Sequence, residues 1–333
     1  MEKSLFDVVG IGNAIVDVIA SEGDEFLTAH GMHKGAMALI DKARAEAIYA
    51  AMNATVITSG GSAANTIAGV ASFGGRTGFI GKVRDDALGA AFRHDITAAG
   101  AHFTTAPAST GPATARCLVL VTPDSQRTLN TFLGASAQLG TEDVDADLVR
   151  AAEITYLEGY LYDAPSAKRA FHLAADLAHA ARRRIALSLS DPFCVKRHRE
   201  SFLRLVEAHV DVLFANFAEA SELLQTEDLD DVVAGLRALT NLAALTRGED
   251  GSLVITARET IEIRAVRAGP VVDTTGAGDL YAAGFLYGLT HGAALRECGR
   301  LGSLAAAEAI SHFGARPQRS LRELAAETLS FSP

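Results

Sequence analysis

From about Asp143 onward, apolar runs of strand length alternate with alanine- and leucine-rich stretches of helical length. ITYLEGYL, RIALSLSD, VDVLFANF and LAALTRGEDGSLVIT are the strand candidates. Such alternation predicts a mostly parallel sheet covered by helices on both faces, with ligands bound beyond the carboxyl ends of the strands. Phe6–Ala20 adds a β-branched run, a glycine break and a second apolar run, and a helical pattern starts near Asp41. Ala101–Ser136 differs in texture. It is rich in Thr, Val, Leu and turn residues without a helical period, which reads as hairpin-forming strands. The expectation is one α/β domain spanning residues 1–333, with a small β-sheet lid drawn from approximately residues 12–42 and 101–136.

Composition narrows the function. Hydrophobic residues make up 49% and charged residues 21% of 333, which fits a soluble globular chain. A formal net charge of −10 disfavours nucleic acid and anionic membrane as partners, but leaves room for a local pocket for a phosphorylated ligand. Three scattered cysteines, Cys117, Cys194 and Cys298, have no metal-ligand spacing and point to a reducing compartment. Glu2 and Asp7 interrupt what a signal peptide would need, and no apolar run reaches the roughly 20 residues of a membrane span. The cytoplasm is the expected location.

Two glycine-rich stretches carry the chemistry. In DTTGAGD, Gly276 and Gly278 let backbone amides approach a ligand, and the helix that follows turns its positive dipole end to the same spot. Asp279 then either caps that helix or serves as a general base on a substrate hydroxyl. In SGGSAANTIAGVASFGG, Gly60 and Gly61 make a close-approach turn, and Asn65 either caps the next helix or reads hydroxyls. There is no GxxxxGK[ST], and GIGNAI places Ile15 where a dinucleotide fingerprint needs its third glycine.

GGSAANTIAGVASFGGRTGFIGKVRDDALG and DTTGAGDLYAAGFLYGL resemble the two signatures of the PfkB (ribokinase-like) family of carbohydrate and nucleoside kinases. The resemblance runs in order along essentially the whole chain. It implies a ribokinase-like, Rossmann-type three-layer body with a β-sheet lid, and Mg²⁺-dependent transfer of the γ-phosphoryl group of ATP to a primary hydroxyl. In these terms Asp279 is the base, and Gly276, Ala277 and Gly278 form the anion hole. Asn216 and Glu219 in NFAE resemble the element that organises Mg²⁺ through water, although the same pair makes an ordinary capping box. Thr246, Gly248 and Gly251 in TRGEDG are similar to a nucleotide-binding turn, or else join two strands as a plain hairpin. Thr275 joins the ATP site, and Asp273 with Thr275 resembles the K⁺ (monovalent-cation) site of some relatives. The resemblance allows a monomer or a homodimer.

The N-terminal strand bears on the acceptor. Asn13 and Asp17 in GNAIVDV would share one face of a regular strand, where a carboxylate can accept two hydrogen bonds from a vicinal diol. The alternative is strand-end capping. The longer spacing, with GAMALID and ARCLVLVTPDSQRTLNTFLGAS, resembles bacterial adenosine kinase-like members and argues against ribose. Leu39, Ile40, Leu129 and Leu133 either line a flat base or form plain lid core. Arg127 reaches the transferring phosphoryl group by analogy, or makes an ion pair. The expected reaction is ATP plus adenosine giving ADP and AMP. The rivals are a sugar kinase of the same family acting on ribose, fructose or another nucleoside, and a non-catalytic nucleoside-binding protein.

Overall fold

A computed structural model describes residues 4–53, 55–124, 126–267 and 269–329. The chain begins with β1 (Phe6–Ile11), β2 (Ile15–Ser21), α1 (Asp24–Ala29), β3 (Met37–Leu39), α2 (Lys42–Ala51) and β4 (Thr55–Gly60). Next come α3 (Ser62–Ser72), β5 (Thr77–Ile80), α4 (Ala87–Ala98), β6 (Ala101–His102), β7 (Ala115–Val121) and β8 (Arg127–Phe132). The expected alternation follows as α5 (Ala146–Ala151), β9 (Ala152–Glu158), α6 (Pro165–Ala180), β10 (Arg184–Ser188), α7 (Pro192–His209) and β11 (Val212–Asn216). It continues through α8 (Phe217–Leu224), α9 (Leu229–Leu239), β12 (Leu242–Thr246), β13 (Ser252–Thr256) and β14 (Thr260–Ile263). Helices α10 (Ala277–Thr290), α11 (Leu295–Ala309) and α12 (Leu321–Leu329) complete it.

The larger sheet runs β14-β13-β12-β11-β10-β9-β1-β5-β6, parallel from β12 to β6, with an antiparallel meander at the β12–β14 edge. Its inner strands are buried on both faces, so successive residues enter different cores. Ile154 and Tyr156 of β9 pack with α3, α10 and α11, whereas Leu157 packs with α6 and α7. Val212 and Phe214 of β11 divide from Leu213 and Ala215 in the same way. The result is the three-layer α/β body. No helix among the described residues is long and apolar enough to cross a membrane, and all three cysteines are buried and free.

The smaller sheet runs β3-β8-β7-β2-β4. Its membership differs from the expectation at two places. Thr55–Gly60 forms a lid strand outside the expected segments, and Ala101–His102 pairs with β5 at the edge of the body. TVITSG runs straight into the glycine turn, so its strand character is easily absorbed into that turn, and as an edge strand it leaves Val56 67% exposed. Asp17, Cys117, Thr131 and Leu39 stand opposite one another in a row across four lid strands. On the other face, α2 covers Val18, Leu118 and Phe132 with Ala45 and Ile48. Only residues 12–14 separate β1 from β2, and Gly61 alone joins β4 to α3, so body and lid meet where the glycines lie.

Candidate active site

A cavity of about 920 Å³ lies between the lid row and the carboxyl ends of β9 to β12, with the start of α10 at its base. Gly276 caps α10 at φ 79°, and a Cβ there would collide with Ala315, so only glycine makes this turn. Gly278 has open space where a side chain would stand. The first-turn amides of Gly278 and Asp279 have no acceptor within the helix. Ala277 departs from its expected part in the anion hole, because its amide donates to the Thr274 carbonyl at 3.2 Å. The turn presents two amides without an intrahelical acceptor and a helix dipole behind them, an arrangement that can take an anion.

Asp279, in the first turn, is held on both oxygens. Ser62 Oγ donates to Oδ1 at 2.6 Å and Asn65 Nδ2 donates to Oδ2 at 3.0 Å. Burial raises its pKa above the ordinary carboxylate value; these two bonds and the Arg316 charge oppose the rise. Asn65 lines the cavity and is not a helix cap: its Oδ1 accepts from Arg316 Nε at 3.0 Å, one amide hydrogen serves Asp279, and the second is left for a hydroxyl.

Asn13 and Asp17 both line the cavity, but not as neighbours on one strand. Asn13 precedes β2 and is only 1% exposed. Its Nδ2 donates to Glu158 Oε1 at 2.6 Å, and Ser136 Oγ donates to its Oδ1 at 2.8 Å. Glu158 Oε2 also accepts the Ala63 amide at 2.8 Å, tying the Asn13 loop to the start of α3. Burial lifts Glu158 to about 7 despite these donors. Asp17, on β2, is raised to about 6, mainly by burial, against the charges of Arg316 and Arg127. Gly60 leaves room for this carboxylate, and Gly61, at φ 96°, lets the Asn13 carbonyl pass where a Cβ would stand.

On the lid side Leu39, Leu129 and Leu133 reach the cavity with Met37. Ile40 does not; it packs within the lid core. At the opposite end, Asn216 and Glu219 form the reciprocal cap of α8: Asn216 Oδ1 accepts the Glu219 amide at 2.8 Å, and Glu219 Oε2 accepts the Asn216 amide at 2.9 Å. Both also line the cavity, and Glu219 is lifted to about 7 by burial. Thr246 and Gly248 line both this cavity and an adjoining recess of about 490 Å³. Gly251 closes the turn behind them, accepting the Arg247 amide at 2.8 Å.

Arg127 makes an ion pair. Its Nη1 lies 2.9 Å from Asp273 Oδ2, and both side chains are nearly buried. The Asp273 carboxylate also accepts from Thr275 Oγ1 at 2.7 Å and from the amides of Thr275 and Gly314. With three hydrogen-bond donors and the Arg127 guanidinium on its two oxygens, the Asp273 carboxylate does not fit a K⁺ ion.

A divalent cation fits better. Asp17, Glu158, Asp163, Asp191, Glu219 and Asp279 line the cavity, while among the described residues Arg197 is its only cationic side chain. A polyphosphate entering such a cavity needs a metal to offset the repulsion. No cluster of three or more His, Cys, Asp or Glu among the described residues is arranged to hold one directly. Mg²⁺ suits that arrangement, since it retains waters and takes few protein ligands beside phosphate oxygens.

Ser62, Glu158 and Arg316 escape the sequence reading. A charged residue inside the apolar run ITYLEGYL is the one signal that marks Glu158; GARPQRS carries none for Arg316.

Known proteins resemble this chain over nearly its whole length. An adenosine kinase from Sinorhizobium meliloti is 51% identical, with a TM-score of 0.91, over 97% of this chain and 99% of that one. A probable sugar kinase from Rhizobium etli CFN 42 is 47% identical, with a TM-score of 0.93, over 98% of this chain and 100% of that one. The adenosine kinase of Saccharomyces cerevisiae is 26% identical over 332 residues, covering 92% of this chain and 95% of that protein. The family match itself spans residues 36–321, from the lid to the start of α12, and so takes in both glycine-rich stretches. The chain belongs to the pfkB family of carbohydrate kinases, phosphotransferases with an alcohol group as acceptor.

Proposed function

We propose that the protein transfers the γ-phosphoryl group of ATP to the 5′-hydroxyl of adenosine, giving AMP and ADP. The observation that carries this reading is Asp279, gripped by Ser62 and Asn65 beside the free amides of the α10 turn and sharing one cavity with Asp17. Asp17 accepts the ribose diol, and Asn13, with its amide fixed by Glu158 and Ser136, offers its remaining Nδ2 hydrogen. Gly61 brings the backbone close to the sugar. The apolar lid face of Leu39, Leu129 and Leu133 suits a flat base better than a bare sugar.

Asp279 takes the proton of the 5′-hydroxyl as the amides of Gly278 and Asp279 offset the charge on the transferring group. Thr246, Gly248 and Thr275 lie along the nucleotide side. Asn216 and Glu219 would hold Mg²⁺, which would supply charge neutralisation on the polyphosphate. Positioning and electrostatics supply most of the rate, since phosphoryl transfer asks little covalent chemistry of a protein. A sugar acceptor is the second reading, favoured by the likeness to the Rhizobium etli protein.

ADP release with MgATP, measured against adenosine, inosine, guanosine, ribose and fructose, separates the two. Adenosine should give the highest kcat/KM, and Asp279→Asn should lower it by about 10²–10⁴-fold. A free sugar in first place would overturn the roles given to Asn13 and Asp17 while leaving the base intact.

A further inference from the structure

The segment after α11 supplies a side chain that neither the cavity lining nor the sequence motifs account for. Its backbone is tied down on both sides of residue 316. Gly314 donates to Asp273 Oδ2 at 3.0 Å, and Gln318 and Arg319 donate to the buried Glu308 Oε1 at 2.9 and 3.0 Å. Ala315 fills the space that a side chain on Gly276 would need. The segment therefore packs directly against the anion-binding turn, and Arg316 is carried from there to α3.

Arg316 Nε donates to Asn65 Oδ1 at 3.0 Å, and Asn65 Nδ2 donates to Asp279 Oδ2 at 3.0 Å. A guanidinium has donors only, so this bond settles which end of the Asn65 amide is oxygen. The NH₂ group is thereby turned to Asp279. A partner able to accept as well as donate would allow the amide to flip and set its oxygen against the base. Arg316 is absent from the cavity wall, and its Nη2 is buried without a protein partner. Its charge faces Asp17, Asp95 and Asp279, two of which are carboxylates of the cavity.

We propose that Arg316 is a positioning residue for phosphoryl transfer: it locks the Asn65 amide so that Asp279 is held with its proton-accepting oxygens in place, and it offsets the charge that Asp17 and Asp279 bring to one cavity. This rests on the kinase reading above. Arg316 acts on the base from behind and touches no substrate, so its loss falls on kcat and leaves KM for ATP unchanged.

The test uses the full chain with whichever acceptor the substrate panel selects. Arg316→Met should lower kcat by about 10–100-fold, the usual effect of removing a supporting group behind a reacting one. Added guanidinium ion should restore part of that activity, and Arg316→Lys, which keeps charge without the planar donor, should fall between. Asn65→Ala and the double variant should be nearly as slow as each other, because the two residues act in series. A folded Arg316→Met with wild-type kcat overturns the proposal, as do losses from Arg316→Met and Asn65→Ala that simply multiply. If Arg316→Met does not fold, full activity in Arg316→Lys overturns it and partial loss supports it. Wild-type protein that turns over no acceptor removes the kinase reading and this proposal together; an active wild type with an unaffected variant removes this proposal alone.

Discussion

Asp279 needs its charge to accept a proton, yet its surroundings penalise that charge. Burial raises its pKa, and Ser62, Asn65 and then Arg316 work against the rise. The base must be ionised, so kcat/KM should fall on the acid side with a midpoint above the usual carboxylate value of about 4. Ser62→Ala removes a donor that favours the ion, and its acid limb should move to higher pH than that of wild type. Profiles between weakly acidic and neutral pH check this; coincident limbs would show that Ser62 is only a structural neighbour. Asp17 makes the corresponding statement about stability. Its pKa stands at about 6 instead of 3.8, so the folded state holds the proton more tightly than the unfolded chain. That contributes about 3 kcal/mol, fully present below the lower value and lost as pH rises through the upper one. Asp17→Asn should therefore be more stable than wild type at pH well above 6, with the gap closing toward pH 4, as read from urea unfolding. A variant less stable than wild type at high pH would show that Arg316 and Arg127 more than repay the burial. Both aspartates are legible in the sequence, because a lone carboxylate beside glycines or in an apolar strand has few structural uses. Ser62 and Arg316 are not: their partners lie 217 and 251 residues away, and only the fold brings them together.

At the level of elements, β9, β10 and β11 are legible because each is a short apolar run bounded by helical patterns, with both faces buried. β4 is not, since half of it faces solvent and its end is the glycine turn itself. N-x-x-E at the start of α8 is a case that spacing alone cannot decide, because a capping box and a metal element use the same two residues at the same interval. The structure shows the cap, and shows the capped residues on the cavity wall. The two uses are compatible, as a carboxylate held by two backbone and side-chain donors still presents oxygen lone pairs to water. Glu219→Gln preserves an acceptor for the cap and removes the charge. The apparent Mg²⁺ requirement should rise by about tenfold or more, in the range of supporting metal contacts, while thermal stability changes by no more than about 1 kcal/mol. A Mg²⁺ titration beside a melting curve checks both. Lower stability with an unchanged Mg²⁺ requirement would leave Glu219 as a cap alone.

On the scale of the whole molecule, lid and body touch at two ends of the cavity. One end is covalent, at residues 12–14 and Gly61. The other is Arg127, which reaches from β8 to Asp273 and Thr275 and lies 5.6 Å from the Phe313 ring. Sequence reading names Arg127 and Asp273 separately, as a phosphoryl contact and a cation ligand; their pairing depends on the lid resting against the body and leaves no trace in local spacing. The pair is nearly buried, and removing one partner of such a pair strands the other charge. The guanidinium places a positive charge beside the α10 turn, on the carboxylate that the sequence resemblance would give to a monovalent cation. Replacing KCl with tetramethylammonium chloride at constant ionic strength should therefore leave the wild-type rate unchanged. Arg127→Gln uncovers Asp273 and should make the enzyme respond to K⁺, by about 5-fold or more if the turn and the cation are coupled as ligand pairs usually are. The neutral side chain keeps a donor for Thr275, so the loss is one of charge before it is one of shape. Strong K⁺ activation of the wild type would mean that the cation displaces Arg127 during turnover, and the lid arginine would then be free for the transferring phosphoryl group. Indifference of both proteins to K⁺ would mean that the turn needs no charge at Asp273, and that the ion pair serves only to hold the lid against the body.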